Sequence, residues 1–343
     1  MTHRFPIKEI ARQSGLSTAT VDRVLNGRAH VSPQTRARVA AALSELEGQG
    51  AQIAARGRKL FVDVVVEAPR RFSAKIRASS DACLSGVSGA VVRPRYTFAE
   101  RMCGADVVRH LDRIGRRGSG GVCLKARDLP EVRQAVLDLG RKGIPVVTLF
   151  TDVTETDRIG YAGLDNAAAG RTAAYLISLA CVGEGTVLTT MSDTAFAGER
   201  ARFQGFAAAL AESAPTLRIA DASGGGGLDG DTARRIRDVA SAIPDLVAVY
   251  SMGGGNRAIL KTLGALGHAP RLILAHDLDA DNRVLLAQRR IGVVLEHDIA
   301  KDMANAFSAL VHWHGLTRGP PGSLTSDICI LTPENMPSSD TLD

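Results

Sequence analysis

From Leu60 onward the chain alternates between short apolar runs and longer stretches in which apolar residues recur every three or four positions. LFVDVVVEA, GVCLKA, GIPVVTLF, GTVLTTM, LVAVYSM, RLILAHD and GVVLEHD are continuous β-rich runs, with helical periodicity between most of them. Continuous apolar strands separated by helices mark parallel sheets covered on both faces, because neither side of such a strand meets water. The pattern runs to Leu164 and then restarts, so it predicts an α/β body of two similar doubly wound lobes.

Before residue 60 only the helical period is present. Ile7, Ile10 and Ala11 define one apolar face, Ser14-Gly15-Leu16 makes a tight turn, and Ser17 or Thr18 caps a second helix with Val21, Val24 and Leu25 on its inner side. This is a helix-turn-helix. Its outer side presents Thr18, Ala19, Asp22, Arg23 and Asn26, small or hydrogen-bonding side chains that fit a helix entering the DNA major groove. Arg23 has the reach to bind guanine O6 and N7 with two parallel hydrogen bonds. A third helix opens with a Ser32 cap and Pro33 in its first turn, and Val39, Ala42, Leu43 and Leu46 close the small core. Its early hydroxyls and the preceding His30 are placed to touch phosphates.

Charge sharpens this division. The chain has 343 residues, 45% hydrophobic and 23% charged, with a net charge of +6. Residues 1–59 hold ten Lys and Arg against Glu9, Asp22, Glu45 and Glu47, so the whole excess lies in the N-terminal sixth. A basic module on a neutral body fits a head that meets a polyanion. No apolar run reaches the roughly 18 residues of a membrane helix, and MTHRFPIKEIARQ carries charges where a signal peptide has its apolar core. The expectation is a cytoplasmic protein without a membrane partner. The five cysteines (Cys83, Cys103, Cys123, Cys181 and Cys329) are odd in number and lack C-x-x-C spacing, so neither a disulfide framework nor a metal site is expected. With no G-x-S-x-G, metal-ligand cluster or supported carboxylate pair, neither an enzyme nor a cofactor is expected.

The run IKEIARQSGLSTATVDRVLNGRAHVSPQTRARVAAALSEL resembles the N-terminal domain of the lac repressor (LacI/GalR) family. The resemblance puts Ser17, Thr18, Ala19, Thr20, Arg23 and Asn26 on recognition-helix positions and His30, Ser32 and Thr35 on backbone-contact positions. Asp22 departs from it, standing where the family usually has Ser. The following EGQGAQIAARGRK reads as a linker by composition; in the family it becomes a hinge helix that inserts a leucine into the minor groove. Here the wedge position holds Ala55 or Gly57, Gly48 and Gly50 replace the usual aromatic and proline, Ile53 is the substitute wedge, and Arg56 and Arg58 reach phosphates or the minor groove.

Residues 60–337 are similar to the periplasmic-binding-protein-like, sugar-binding domain of the same family, through GIPVVTLF, YAGLDNAAAGRTAAYLI, ERARFQGF and ICILTPENMP. The expected organisation is a helix-turn-helix head over 1–47, a linker over 48–59, a ligand-binding body over 60–337 and a tail over 338–343. Crossovers near Leu164, His297 and Asp327 give an N-lobe of about 60–164 and 297–326 and a C-lobe of about 165–296 and 327–337.

In open α/β sheets ligands bind beyond the carboxyl ends of the strands. Phe72 there can stack on a sugar face, Asp277 and His297 can meet hydroxyls, and Arg200 lies where the binding-protein family uses a multidentate arginine. Asp152, Asp165 and Asn256 complete the candidates, although Asp165 can simply cap a helix, His297 can be a core residue and Arg200 a surface charge. GGGG at 224–227 reads as a surface turn, and GGGN at 253–256 as a strand-to-helix turn able to hold an oxyanion. The resulting expectation is a homodimeric repressor on a palindromic DNA operator, released by a sugar or polyol effector. The alternatives are co-repressor dependence or sensing of a phosphorylated or acidic sugar; a solute-binding receptor explains only the body and needs export.

Overall fold

The computed structural model describes residues 5–28, 31–55, 58–317 and 323–337, with 47–55 described by backbone alone. The head is three helices, α1 (Ile7–Ser14), α2 (Thr18–Leu25) and α3 (Pro33–Ala55). Gly15 ends α1 at φ +64°, a left-handed cap that only glycine adopts without strain. Ser17 caps α2 by accepting from the Thr20 N–H at 3.2 Å, and Ser32 caps α3 through the Thr35 N–H at 3.1 Å. Ile10, Ala11, Val21, Val39 and Leu46 form the core, with Leu16, Val24, Leu25 and Leu43 packed against it.

The stretch read as a linker differs from expectation: α3 continues through it to Ala55. Ala51, Gln52, Ala54 and Ala55 are strong helix formers, and they carry the helix past Gly48 and Gly50. The side chain of Ile53, together with His30 and Arg56, lies outside the described residues.

The body runs β1 (Lys59–Glu67), α4 (Arg70–Cys83), β2 (Val91–Ala99), α5 (Gly104–Arg117), β3 (Val122–Lys125), α6 (Pro130–Arg141), β4 (Val146–Leu149) and β5 (Gly160–Leu164). It continues with α7 (Asn166–Ala180), β6 (Gly185–Thr190), α8 (Ala197–Ser213), β7 (Leu217–Asp221), α9 (Asp229–Ala240), β8 (Leu246–Ser251), α10 (Asn256–Ala265), β9 (Leu272–His276), α11 (Ala280–Ala287) and β10 (Val293–Glu296). Last come α12 (Ile299–Trp313), β11 (Thr325–Ser326) and β12 (Cys329–Leu331). Two six-stranded sheets result, ordered β11-β5-β4-β3-β1-β2 and β12-β10-β9-β8-β6-β7. The chain leaves the first sheet after β5, returns through α12 for β11, and crosses again to β12.

All seven apolar runs are strands. The pattern missed β2, β5, β7, β11 and β12, of which all but β5 lie at sheet edges. An edge strand has one side open to water, so β2 tolerates Arg93, Pro94 and Arg95 and loses its apolar signature. In the first lobe Val65, Leu111, Leu124, Val136 and Val146 pack between sheet and helices. In the second, Ala173, Ile177, Phe206 and Tyr250 cover one face of the sheet, and Leu188, Ile236, Ile259 and Val294 the other. Helices α7 and α8 lie in unusually close contact: a Cβ on Gly170 would fall 2.0 Å from the Arg202 carbonyl oxygen, and one on Gly205 2.3 Å from that of Ala167. Among the described residues no helix is long and apolar enough to cross a membrane.

Candidate functional site

On α2 the side chains of Ser17, Thr18, Ala19, Arg23 and Asn26 are exposed, and Val21 is buried beneath them. Ser17 and Thr20 share a 2.8 Å hydroxyl contact, as do Ser32 and Thr35 at the start of α3. The Arg23 side chain makes no ion pair or hydrogen bond among the described residues, so its guanidinium is available to an outside acceptor. Asp22 is held by Arg28 at 3.6 Å and by the Asn26 amide at 2.8 Å. The carboxylate that departs from the family pattern is thus partly neutralised within the chain. The cost is that Asn26 is occupied until a better partner displaces Asp22.

In the body, the carboxyl ends of both sets of parallel strands converge on one cavity of about 80 Å³. β1 ends in Glu67 and leads into Arg71 and Phe72; β3 ends in Lys125, followed by Arg127; β4 leads into Phe150. From the second lobe come Ser192 after β6, Met252 after β8, His276 and Asp277 at the end of β9, and His297 after β10. Helix α8 adds Glu199 and Arg202. Two of these residues, Phe150 (φ +60°) and Asp277 (φ +63°), lie in the left-handed region, one at a strand end of each lobe. For a bulky phenylalanine this is a strained conformation, kept only because the surroundings demand it.

The walls are aromatic and the floor is charged. Phe72 meets Phe150 edge-on at 5.6 Å, and Phe150 tilts against His297 at 5.5 Å. Phe196 lies under the Lys125 ammonium at 4.2 Å, a cation–π contact. His297 is wholly buried, with Nδ1 2.5 Å from Asp302 and Nε2 3.3 Å from Asp277. Burial alone would lower its pKa, yet the two carboxylates raise it to about 9, so the ring is cationic at neutral pH. The same contact and the charges of Arg202 and Lys75 overcome burial at Asp277 and hold its carboxyl below the ordinary range. Burial pushes Glu67 and Glu199 above the ordinary carboxylate value and Lys125 below the ordinary lysine value, against the pull of the opposite charges around each.

Several of these polar groups are left wanting. Among the described residues Glu67 Oε2, Arg127 Nε and His276 Nδ1 are buried without a hydrogen-bond partner, while Asp277 Oδ1 and His297 Nε2 have only each other, at 3.3 Å. An unmet buried polar group costs about 1–3 kcal/mol, so such a cluster around a cavity calls for a ligand with several hydroxyls or comparable groups. Arg202, only 5% exposed, donates from Nε to Asn166 at 2.6 Å and carries its guanidinium to the cavity wall. The two lobes meet around the cavity through Arg71–Asp279 (2.8 Å), Lys75–Glu296 (2.5 Å), Arg127–Asp193 (3.4 Å) and Arg101–Asp231.

Of the residues singled out in the sequence, Phe72, Asp277 and His297 line this cavity, whereas Asp152, Asp165, Arg200 and Asn256 do not. Asp152 pairs with Arg158 and accepts from the Thr148 hydroxyl at 2.7 Å. Asp165 caps α7, accepting from the Ala168 N–H at 2.9 Å. Asn256 is buried behind the wall, bonded to Asn282 at 2.7 Å. Arg200 turns to the Thr194 carbonyl at 2.8 Å and toward Asp128 at 3.5 Å, with its side chain 42% exposed. The inward arginine of α8 is Arg202, because Gly198, Arg202, Phe206 and Leu210 form the buried stripe of that helix at four-residue spacing. That spacing was visible in AGERARFQGFAAAL and would have found it. Glu67 and Lys125, the charged residues that close two apolar strand runs, carried a comparable signal.

Residues 105–306 match the family described as periplasmic binding protein domain, and residues 6–47 match the family of bacterial regulatory proteins, lacI family. Among solved structures, the body is similar to GanP, a glucose-galactose binding protein from Geobacillus stearothermophilus, at 17% identity and TM-score 0.73, covering 82% of this chain and 100% of that one. A solute binding protein from Burkholderia graminis in complex with D-arabinose gives 20% identity and TM-score 0.73, with 82% and 98% covered. A Bacteroides fragilis protein described as a LacI transcriptional regulator gives 15% identity and TM-score 0.71, with 81% and 98% covered. At these identities the likeness is one of fold. No curated protein matches the chain.

Proposed function

The chain belongs to the periplasmic binding protein domain family and carries a regulatory domain of the bacterial lacI family, and from that premise we propose that it is a repressor whose hold on a palindromic operator is released when a sugar or polyol fills the cavity. It is a ligand-responsive DNA-binding regulator; what we add is the sign of the response, the ligand class and the residues. The observation that carries the ligand class is the set of buried polar atoms without a hydrogen-bond partner among the described residues, Glu67 Oε2, Arg127 Nε and His276 Nδ1, on residues that line the cavity together with Phe72 and Phe150. Hydroxyls that both donate and accept meet carboxylate, guanidinium and imidazole alike, and the apolar C–H face of a sugar ring suits Phe72 and Phe150. D-arabinose in the Burkholderia graminis protein is consistent with that class.

In this reading a homodimer acts in the cytoplasm, without a membrane partner. Its two copies of α2 read two half-sites through Ser17, Thr18, Ala19, Thr20, Arg23 and Asn26, while His30, Ser32 and Thr35 touch phosphates, and Ile53 and Arg56 serve the minor groove between them. A ligand that touches both lobes favours the arrangement in which they are closed. If the closed arrangement is the one that holds the operator less well, ligand and operator must weaken each other's binding by the same factor. Fluorescence anisotropy of the full chain on DNA from its own promoter, titrated with monosaccharides and polyols, tests this. The expected result is a specific complex that one of these compounds dissolves. A complex indifferent to all of them overturns the proposal, and one that tightens reverses the sign to co-repression.

A further inference from the structure

Beside the cavity lies a second recess of about 370 Å³, lined by Arg101, Arg127, Arg234 and Arg235 with only Asp193 and Asp231 to oppose them. Arg101 and Arg127 line both spaces, so the two adjoin. The opposing carboxylates are already shared. Asp231 pairs with both Arg101 and Arg234, and Asp193 lies 3.4 Å from an Arg127 that also binds Glu67 at 2.7 Å. The Arg235 side chain has no ion pair and no hydrogen bond among the described residues. Counting Glu67, four guanidinium groups therefore share three carboxylates, and the Arg235 side chain is uncommitted.

The glycine run at 224–227 explains how they crowd together. Gly224 (φ +96°) packs against Arg235, and a Cβ there would fall 2.9 Å from the guanidinium; Gly226 (φ +63°) leaves the space beside Arg101 open. The Gly224 and Gly226 N–H groups are spent on the carbonyls of Met191 and Ser192. It is thus the arginine side chains, not these two amides, that face the recess. Guanidinium groups at such a density are held apart by repulsion unless an anion joins them, and their fork geometry matches phosphate and carboxylate oxygens.

We propose that the effector is an anionic sugar derivative, with its ring in the inner cavity and a phosphate ester or carboxylate in the recess against Arg101, Arg127 and Arg235. This rests on the reading of the inner cavity as a sugar or polyol site. A neutral sugar leaves the recess unfilled and Arg235 without a counter-charge, so the anion sets the preference between otherwise similar rings.

The test is calorimetry on the full chain in a phosphate-free buffer. Glucose, galactose, arabinose and inositol are titrated beside their phosphate monoesters, the corresponding sugar acids, and inorganic phosphate alone. For the ring that binds, the ester or acid is expected to bind at least about tenfold more tightly than the neutral parent, the equivalent of roughly 1.4 kcal/mol. Arg235→Gln, an exposed position whose replacement leaves the fold intact, should bring that ratio close to one without changing the parent's affinity; Arg234→Gln should do the same in part. A neutral parent that binds as tightly as its derivatives, or a ratio untouched by both substitutions, overturns the anion subsite while leaving the sugar reading in place. Inorganic phosphate that binds as well as the ester detaches the anion from the ring and overturns the proposal in that form. Silence across the whole panel overturns the sugar reading and the subsite together.

Discussion

On α2 the side chains of Thr18, Arg23 and Asn26 face water, and that of Arg23 has no hydrogen-bond or ion-pair partner among the described residues. Around the cavity the polar side chains are enclosed, and most are already bonded to one another: His297 to Asp302, Arg71 to Asp279, Arg127 to Glu67. A group of the first kind serves a partner without supporting the fold, and its removal leaves no orphan behind. A group of the second kind does both, since the neighbour it leaves is buried and cannot turn to solvent. Recognition is therefore separable from stability at Arg23, though not at the Ser17 and Ser32 caps, and is tied to it in the body.

The sharpest way to break that contrast is Asp302→Ala. It strips the buried His297 of its closest carboxylate, and breaking such a pair is expected to cost about 3–5 kcal/mol in urea unfolding of the full chain. A loss under about 1 kcal/mol would mean that the cluster is not structural at all. The same cluster predicts a pH profile. The His297 pKa is raised from 6.5 to about 9 on folding, so its stabilisation is complete below pH 6.5 and is lost as pH rises through about 9. Thermal unfolding scanned from neutral to alkaline pH should show that decline, and His297→Gln should remove it.

Arg202→Met should lower effector affinity by about 1–3 kcal/mol and also reduce stability, because the Asn166 oxygen it bonds would be left buried and unmet. Calorimetry and unfolding on the same variant decide whether the two losses travel together. Arg23→Ala is the counterpart: the preference for operator over random duplex should fall by about 1–3 kcal/mol, while the unfolding midpoint stays within about 0.5 kcal/mol of the parent. A destabilised Arg23 variant would erase the distinction between the two regions. The smallest effect is expected at the end of α3, where Gly48→Ala and Gly50→Ala should each strengthen the helix by about 0.5–1 kcal/mol, read as a gain in far-UV circular dichroism.

The head was legible because its signals are local. Two helix caps, one left-handed glycine and an apolar face of five residues all fall within forty positions and need no distant partner. The interior strands were legible for a related reason, each being buried on both sides. Edge strands were not, since a half-exposed strand accepts Arg93 and Pro94 and looks like a loop. At the cavity, placement beyond the strand ends led to Phe72, Asp277 and His297, but the depth of a charge could not be read from its position in the chain. Nothing in HDIAKD announces that Asp302 is wholly buried against His297. Similarly, Arg200 and Arg202 differ only by which side of one helix turn they occupy.

The contact between α7 and α8 bears on how such a protein changes what it senses. With Gly170 and Gly205 bringing the two backbones together, the carbonyl of Arg202 is pressed directly against the neighbouring helix. The backbone that carries that arginine has no room to move closer to α7. Descendants of this chain that acquire a different effector would therefore be expected to keep both glycines and the helix pair while exchanging the side chain at 202 and the loop residues opposite it. A lineage can then explore new chemistry one substitution at a time, because the mounting is preserved while the tool is replaced.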